Sequence, residues 1–322
     1  MRKQPELKPL FLERMQKLLT EKSDFEKYLD ILKISPVKSI RCNTLKISPK
    51  ELIKKLENKN WKIKQPWKKF PEIMIVENEL SPGELGRAIE HLLGYYYIQE
   101  LSSMLPALTL NPKENEEILD LCAAPGSKTT QISAKINNTG NILANEVSIG
   151  RLRILASNLE RCGCANVIIS RKEGAALCKR LKKYNNYEFD KILVDAPCSG
   201  EGTLRSSPKT YSMWNIKTIN NLPKIQFDLF KNAFEVLKIG GEIIYSTCTH
   251  APEENEGVVS KILEEFKDQI EIQEIILPIN TRKGILKWED QEFNKQVENC
   301  ARIYPHDNNT EGFFISKFKR VK

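Results

Sequence analysis

Two cysteines stand at the ends of two short apolar, β-prone runs. ILVDAPCSGEGTLR (Ile192–Arg205) carries Cys198, and IIYSTCTHAPEENEG (Ile243–Gly257) carries Cys248, 50 positions further on. Each run breaks at its cysteine into turn-forming residues. In a parallel sheet such ends open onto the edge where ligands bind, so the two thiols are expected side by side there. A thiolate is a strong nucleophile, and a pair of thiols at one site suits addition to an electron-poor carbon.

A second constellation lies upstream. DLCAAPGSKTT (Asp120–Thr130) follows the apolar run EEILDLC. Its small residues let the backbone approach a ligand closely, and the next helix points its N-terminus at the same place. The loop lacks G-x-G-x-x-G, and Ser127 separates Gly126 from Lys128, so it is neither a dinucleotide fingerprint nor a phosphate-binding P-loop. Glu146 ends the second strand, where a carboxylate can accept from both ribose hydroxyls of a nucleoside. Glu173-Gly174 follows the third strand, placed for an exocyclic amine of adenine, and Asp195 closes the fourth. Any one of these acids can instead cap the helix that follows it. Three at successive strand ends, beside the Gly126 loop, favour a nucleoside site.

The elements that must position these groups alternate. EEILDLC, NILANEV, NVIISRK, DKILVDA and GEIIYST read as strands with helical stretches between them, the pattern of a doubly wound parallel sheet. DQIEIQEI, ARIYPH and EGFFISKFK read as further strands, the last two with no helix between them, so the sheet is expected to close on an antiparallel hairpin. Upstream, residues 3–32 have helical periodicity and many charges and read as surface helices. SIRCNTLKI reads as a strand, Ser48-Pro49 opens the helix PKELIKKLENK, and WKIKQPW and EIMIVE read as strands. That β-α-β pattern suits a small nucleic-acid-binding module, in which Trp61 and Trp67 either stack on bases or belong to the core. From Glu84 to Leu110 the pattern is helical, interrupted at Gly94–Tyr97 and again at Pro106.

The 322 residues suit two domains. At 40% hydrophobic and 29% charged, the composition is that of a soluble globular protein. No apolar run is long enough to span a bilayer, and MRKQPELKPLF lacks the apolar core of a secretory signal, so a cytoplasmic location without membrane association is expected. Of the 8 cysteines only Cys162 and Cys164 are close in sequence, with no second pair at zinc spacing. Free thiols and no metal are therefore expected. The net charge of +8 is concentrated: residues 1–92 hold 20 Lys and Arg against 13 Asp and Glu, and the remainder holds 30 against 29. A basic front half fits a polyanion such as nucleic acid. A lysine-rich composition with ordinary solvated faces gives the same count.

Taken together, these blocks resemble the NOL1/NOP2/Sun family of RNA (cytosine-5) methyltransferases, which use S-adenosylmethionine. The resemblance runs from about Arg41 to the C-terminus. It rests on DLCAAPGSKT, VDAPCSGEGT, YSTCTHAPEENE, HLLGYYYIQELSSMLP (His91–Pro106) and ARIYPHDNNTEGFF (Ala301–Phe314), in that family's order. It implies an α/β architecture: a Rossmann-like methyltransferase domain over residues 93–322, with a mostly parallel seven-stranded sheet and terminal antiparallel hairpin, preceded by a small α+β RNA-binding domain over residues 1–92. It also implies that Cys122, Ala123, Ala124, Pro125, Gly126, Ser127 and Lys128 line the methionine and ribose side of the cofactor. Glu146 would hold the ribose, Arg151 would border the same site, and Asp195 would stand between cofactor and target base. Glu173 falls where the family usually has Asp, near the adenine.

Carbon 5 of cytosine is too weakly nucleophilic to take a methyl group unaided. A thiolate added at carbon 6 breaks the aromaticity and makes carbon 5 enamine-like, and a carboxyl group such as Asp195 can protonate or hydrogen-bond nitrogen 3. DNA cytosine-5 enzymes use the cysteine of a Pro-Cys pair, here Cys198. The family resemblance instead puts the nucleophile at Cys248 and gives Cys198 the release of product. Lys128 is expected to act electrostatically near the base. His250, two residues past Cys248, is either a general base or an exposed turn residue. Arg205, Lys209 and Trp214 either meet RNA or pack the Cys198 loop. A DNA enzyme would need a large target-recognition insertion, for which the 50 positions between the cysteines leave no room, and a non-catalytic RNA-binding protein should tolerate loss of one thiol. A monomer acting on tRNA is expected, on size and family analogy, with rRNA the alternative substrate.

Overall fold

In the computed structural model, which describes residues 7–185 and 187–322, two sheets divide the work. The first arises from short runs that bury alternate apolar side chains: β1 (Lys38–Cys42), β2 (Ile63–Lys64), β3 (Ile73–Val76) and β4 (Tyr96–Ile98), all antiparallel, in the order β2-β3-β1-β4. Ile40 opposes Met74 across β1 and β3. The helix Pro49–Glu57 lays Leu52 and Leu56 over that pair, together with Trp61 and Tyr96. Its start is fixed twice, by Pro49 in the first turn and by reciprocal bonds between Ser48 and Glu51, a capping box worth about 1 kcal/mol.

Several expectations change here. Trp61 is buried and its indole donates to Glu84 Oε1 at 2.9 Å, so it is core. Trp67 is partly buried against the cluster that includes Leu101 and Leu105. The break at Gly94–Tyr97 is not a gap between helices but leads into β4, which pairs with β1 and so places residues up to Ile98 in the first sheet, past the expected division at 92/93. Pro106 interrupts nothing. The helix Leu101–Leu110 runs through it; an interior proline costs about 3 kcal/mol, offset by burial of Leu101, Met104, Leu105, Leu108 and Leu110.

The second sheet positions the chemistry. Five parallel strands, β5 (Glu117–Asp120), β6 (Asn141–Asn145), β7 (Val167–Ser170), β8 (Phe189–Asp195) and β9 (Leu237–Thr247), lie in the order β7-β6-β5-β8-β9. All five fall where the apolar runs put them; the inner strands, covered on both faces, read as nearly continuous Val, Ile and Leu, whereas β7 at the edge leaves Ile168 and Ile169 exposed. The outer part of the sheet is antiparallel. Two short strands, β10 (Ile270–Gln273) and β11 (Arg282–Lys283), extend it, a separate hairpin pairs β12 (Lys287–Trp288) with β13 (Gln291–Glu292), and β14 (Ala301–Ile303) and β15 (Phe313–Arg320) close it. β15 pairs with β9 on one side and with β10 and β14 on the other. Among the described residues the sheet thus has nine strands rather than seven, and one helical turn, Pro305–Asn308, separates β14 from β15. The chain winds outward from β5 through β6 and β7, then resumes on the other side at β8. The crevice outside the ends of β5 and β8 is the topological switch point where such sheets bind ligands.

The opening helices, Pro9–Leu18 and Lys22–Leu32, are not surface decoration, although residues 3–6 of the helix expected there lie outside the described residues. Phe11, Met15 and Tyr28 are buried in one cluster with Trp214, Ala251 and Tyr304, on the loops that follow β8, β9 and β14. Charged residues on the outer faces masked this stripe in the sequence. Arg282 fastens the arrangement: its guanidinium bonds Asp24 at 2.5 and 2.7 Å and Asp307 at 2.8 Å, with His306 at 3.0 Å. Asp24 is held down to about 2, first by its bonds to Arg282.

Candidate active site

A cavity of about 370 Å³ opens at the carboxyl ends of β5, β6, β7 and β8. It brings together eight of the expected residues: Cys122, Ala124, Glu146, Arg151, Glu173, Asp195, Cys198 and Cys248. Its apolar lining includes three residues that no motif marked, Val147, Ile225 and Leu229. The last two come from one face of the helix Ile216–Phe234, four positions apart.

Glu146 is 2% exposed, accepts from the Ser148 amide at 2.8 Å and pairs with Arg151 at 3.2 Å. Arg151 also donates to the Ala124 carbonyl, so the loop and the acid share one cation. The Glu173 carboxylate accepts from the amides of Ala175 and Ala176 at 3.1 and 2.8 Å, so it caps a helix while lining the cavity. The Gly126 loop works mainly through its backbone. Gly126 has φ +101°, a left-handed conformation suited to glycine, and starts the helix Ser127–Lys135. Ala123 is buried, with its amide on the Asn145 carbonyl at 2.8 Å. Pro125 is exposed, and its carbonyl accepts from Asn158 at 2.9 Å. A pocket with an apolar wall, an acid at the end of β6 and a helix N-terminus is the donor set a nucleoside with an amino-acid tail requires, so the residues present fit S-adenosylmethionine.

The two thiols meet. Sγ of Cys198 and Sγ of Cys248 lie 3.3 Å apart, both free and partly accessible. The hydrogen bond with Cys248, followed by burial, pushes the Cys198 thiol well above its ordinary value. Burial raises Cys122 strongly too, which disfavours its thiolate, and the side chain lines the cavity. Asp195 stands between thiols and loop: Lys128 donates to its Oδ2 at 2.7 Å and Ser246 to its Oδ1 at 2.8 Å, while Lys128 also reaches Ser103 Oγ at 3.3 Å. Ser103 and Ser246 carried no signal of their own in the sequence.

Three loops hold the sulfurs in register. The Gly202 amide donates to the Cys248 carbonyl at 2.9 Å, and the Gly312 amide to the Gly202 carbonyl at 2.8 Å. Ser199 and Thr249 hydroxyls lie 2.7 Å apart. Gln226 donates to the Pro197 carbonyl at 2.9 Å, and Glu254 accepts from the Ser199 amide at 3.0 Å.

Other expected residues do different work. His250 is not an exposed turn residue: it is 2% exposed and stacked on Tyr304 with ring centroids 5.0 Å apart, and burial pushes it down to about 3, which weakens it as a base. The chain turns after Cys248, so strand alternation does not carry through to it. Arg205 donates to the carbonyls of Ile34, Ser35 and Thr310 and to the Asn309 side chain, at 2.7–3.1 Å. It packs the loop rather than presenting a free cation. Trp214 is buried, with its indole on Glu201 Oε1 at 2.8 Å, whereas Lys209 is exposed. The helix after the Cys248 turn starts at Glu256.

The family profile described as 16S rRNA methyltransferase RsmB/F matches residues 107–319, two-thirds of the chain and the whole of this site. The chain belongs to the RsmB/F, or NOL1/NOP2/Sun, family of RNA cytosine-5 methyltransferases. The profile for the N-terminal domain of 16S rRNA methyltransferase RsmF matches residues 7–101, which include β4. Ribosomal RNA small subunit methyltransferase F of Vibrio campbellii is 37% identical over 314 residues, 97% of this chain. This chain spans 63% of that relative's length. The tRNA (cytosine(49)-C(5))-methyltransferase of Pyrococcus abyssi is 39% identical over 284 residues, 88% of each protein. A methyltransferase homologue from Pyrococcus horikoshii, 34% identical, superposes with a TM-score of 0.82 over 97% of this chain and 95% of its own. NSun6 from the same organism, determined with SFG, an S-adenosylmethionine analogue, is 27% identical with a TM-score of 0.81, covering 98% of both. The family to which the chain belongs is S-adenosylmethionine-dependent, and none of the chain's described helices is long and apolar enough to cross a membrane.

Proposed function

We propose that this chain forms 5-methylcytosine in tRNA, with Cys248 as nucleophile and Cys198 as the residue that frees the product. The observation that carries the chemistry is the 3.3 Å contact between the two sulfurs beside the Asp195 carboxyl. Glu146, Arg151, Glu173 and the 122–128 loop hold S-adenosylmethionine, which supplies an electrophilic methyl group. Cys248 adds to carbon 6 of the cytosine, and Asp195, oriented by Lys128 and Ser246, meets nitrogen 3 and steadies the charge that builds in the ring. Cys198 then takes the carbon 5 proton as the Cys248–carbon 6 bond breaks.

Support for tRNA comes from the mutual 88% coverage with the tRNA enzyme of Pyrococcus abyssi. Ribosomal RNA is the second reading, supported by the RsmF-type N-terminal match and by relatives named for 16S rRNA methylation. Incubating the protein with S-adenosylmethionine and purified tRNA or 16S rRNA, then reading 5-methylcytosine by bisulfite sequencing, separates the two; no signal on tRNA rejects the first. The roles of the thiols are tested on a denaturing gel with labelled RNA. Cys248→Ala should form no covalent adduct and Cys198→Ala should accumulate it, and equal adduct in both would reject the assignment.

A further inference from the structure

Cys198 and Cys248 are the same side chain on neighbouring loops, so their environments must separate their roles. The Cys248 loop is fixed through its own carbonyl, by the Gly202 amide. The Cys198 turn is gripped on both flanks by side chains that are 0% exposed. Gln226 reaches the carbonyl of Pro197 on one side and Glu254 accepts from the amide of Ser199 on the other. The two are joined by a 2.8 Å bond from Gln226 Nε2 to Glu254 Oε2. Tyr245 donates to the Glu254 carbonyl at 2.6 Å, which seats the acid at the end of β9.

We propose, resting on the assignment of Cys198 to product release, that Glu254 and Gln226 are positioning residues for that release half of the reaction.

Two features set Glu254 apart from a residue that only packs. It is a buried carboxyl with no lysine or arginine bonded to it among the described residues, a costly choice where an apolar side chain would fill the space. Its Oε1 and that of Gln226 are both buried without a hydrogen-bond partner. The groups that face it are Cys198 and the Ser199 amide on the turn, the Gln226 amide on the helix, Glu201 on the next turn, and Tyr245 on β9; Cys198 in turn faces Cys248. Burial pushes Glu254 up to about 7, so it changes charge near neutrality beside the sulfur that must accept a proton. A negative Glu254 raises the proton affinity of Cys198, the direction that strengthens a base. In the adduct Cys248 is a thioether and no longer holds the Cys198 proton, the first cause of its raised value; Cys198 then loses that proton to solvent and, as thiolate, takes the carbon 5 proton. The C–H electron pair becomes the carbon 5–carbon 6 double bond, and the carbon 6–sulfur bond breaks to return Cys248 as thiolate. Glu254 does not touch the base; it acts through the sulfur it positions.

The test follows adduct formation and decay separately, with the full-length chain, S-adenosylmethionine and labelled total cellular RNA, by rapid quench and denaturing gel across pH 6 to 9. Glu254→Gln, which keeps the shape but not the charge, should form adduct within about twofold of the unmodified protein. Its adduct decay should slow by tenfold or more, with the rise of the release rate near neutral pH flattened. Gln226→Leu, which releases the Pro197 flank of the turn and leaves the Glu254–Ser199 bond in place, should also slow decay more than formation. Decay at the unmodified rate and pH profile in Glu254→Gln, or equal slowing of both phases, overturns the inference. If Glu254→Gln does not fold, normal decay in Gln226→Leu overturns it alone. Absence of adduct in Cys198→Ala would sink the assignment beneath it as well, whereas adduct there with normal decay in Glu254→Gln sinks only this inference.

Discussion

Gly202→Ala is a stringent test of how Cys248, the proposed nucleophile, is held. A Cβ built on Gly202 would stand 2.7 Å from the Gly312 carbonyl carbon and 2.9 Å from the Cys248 carbonyl oxygen. Both are backbone atoms that cannot rotate away, and both belong to partners in the hydrogen-bonded zipper from Cys248 through Gly202 to Gly312. The Gly312 carbonyl oxygen is nearer still, at 2.4 Å, so to reach ordinary contact the loops must part by about one ångström. Overpacking of this kind costs about 1–3 kcal/mol, and each of the two strained buried hydrogen bonds forfeits up to about 1 kcal/mol. The expected loss of stability is therefore about 1–5 kcal/mol by chemical denaturation. A nucleophile displaced by close to an ångström loses on the order of 100-fold in rate, so adduct formation with labelled RNA should fall at least tenfold. S-adenosylmethionine binding, measured by calorimetry, should survive, because Gly202 does not line the cofactor cavity. Unchanged stability with an unchanged adduct rate would show that the loops do not hold Cys248 through this contact.

Two further outcomes follow from buried charge. Lys128→Met removes the cation from Asp195, whose side chain is 26% exposed; a charge-assisted bond there is worth about 1.5–3 kcal/mol, discounted toward the lower end for solvent. A loss of roughly 10- to 100-fold in kcat/KM is expected, with RNA affinity by filter binding little changed, and full activity would remove Lys128 from the chemistry. Asp120 is buried beneath the loop, and burial first, countered by the Thr129 hydroxyl at 2.7 Å, raises its carboxyl to about 7. A folded-state value above the unfolded one means the folded chain keeps the proton longer. The stability this group contributes is whole below about pH 4 and is lost as pH climbs through 7. Asp120→Asn should gain on the unmodified protein by a few kcal/mol between pH 4.5 and 8 in denaturation experiments; a gap that narrows as pH rises would contradict this.

Much of the catalytic unit was legible because its signals are local. A strand buried on both faces is a run of Val, Ile and Leu, and a cysteine where such a run ends must come to the ligand edge. That reasoning placed Glu146, Asp195, Cys198 and Cys248 on one cavity. It failed where tertiary partners decide. His250 follows Cys248 by two residues but turns into a core of Tyr28 and Tyr304. Arg205 carries the charge an RNA contact needs but spends its donors on residues 34, 35, 309 and 310. Gln226 has no motif around it, and its partners at Pro197 and Glu254 are each 28 or 29 positions away. Strand β4 is three residues long and gains its identity only by pairing with β1.

The helices that open the chain lie beneath the loops bearing both sulfurs, and this restricts how the protein can be rebuilt. A catalytic half cut free near residue 100 would strip the cover from Trp214, Ala251 and Tyr304 and leave Arg282 without Asp24. Any lineage that exchanges the first sheet for another module must therefore carry these two helices along, or find a new lid for the same apolar floor.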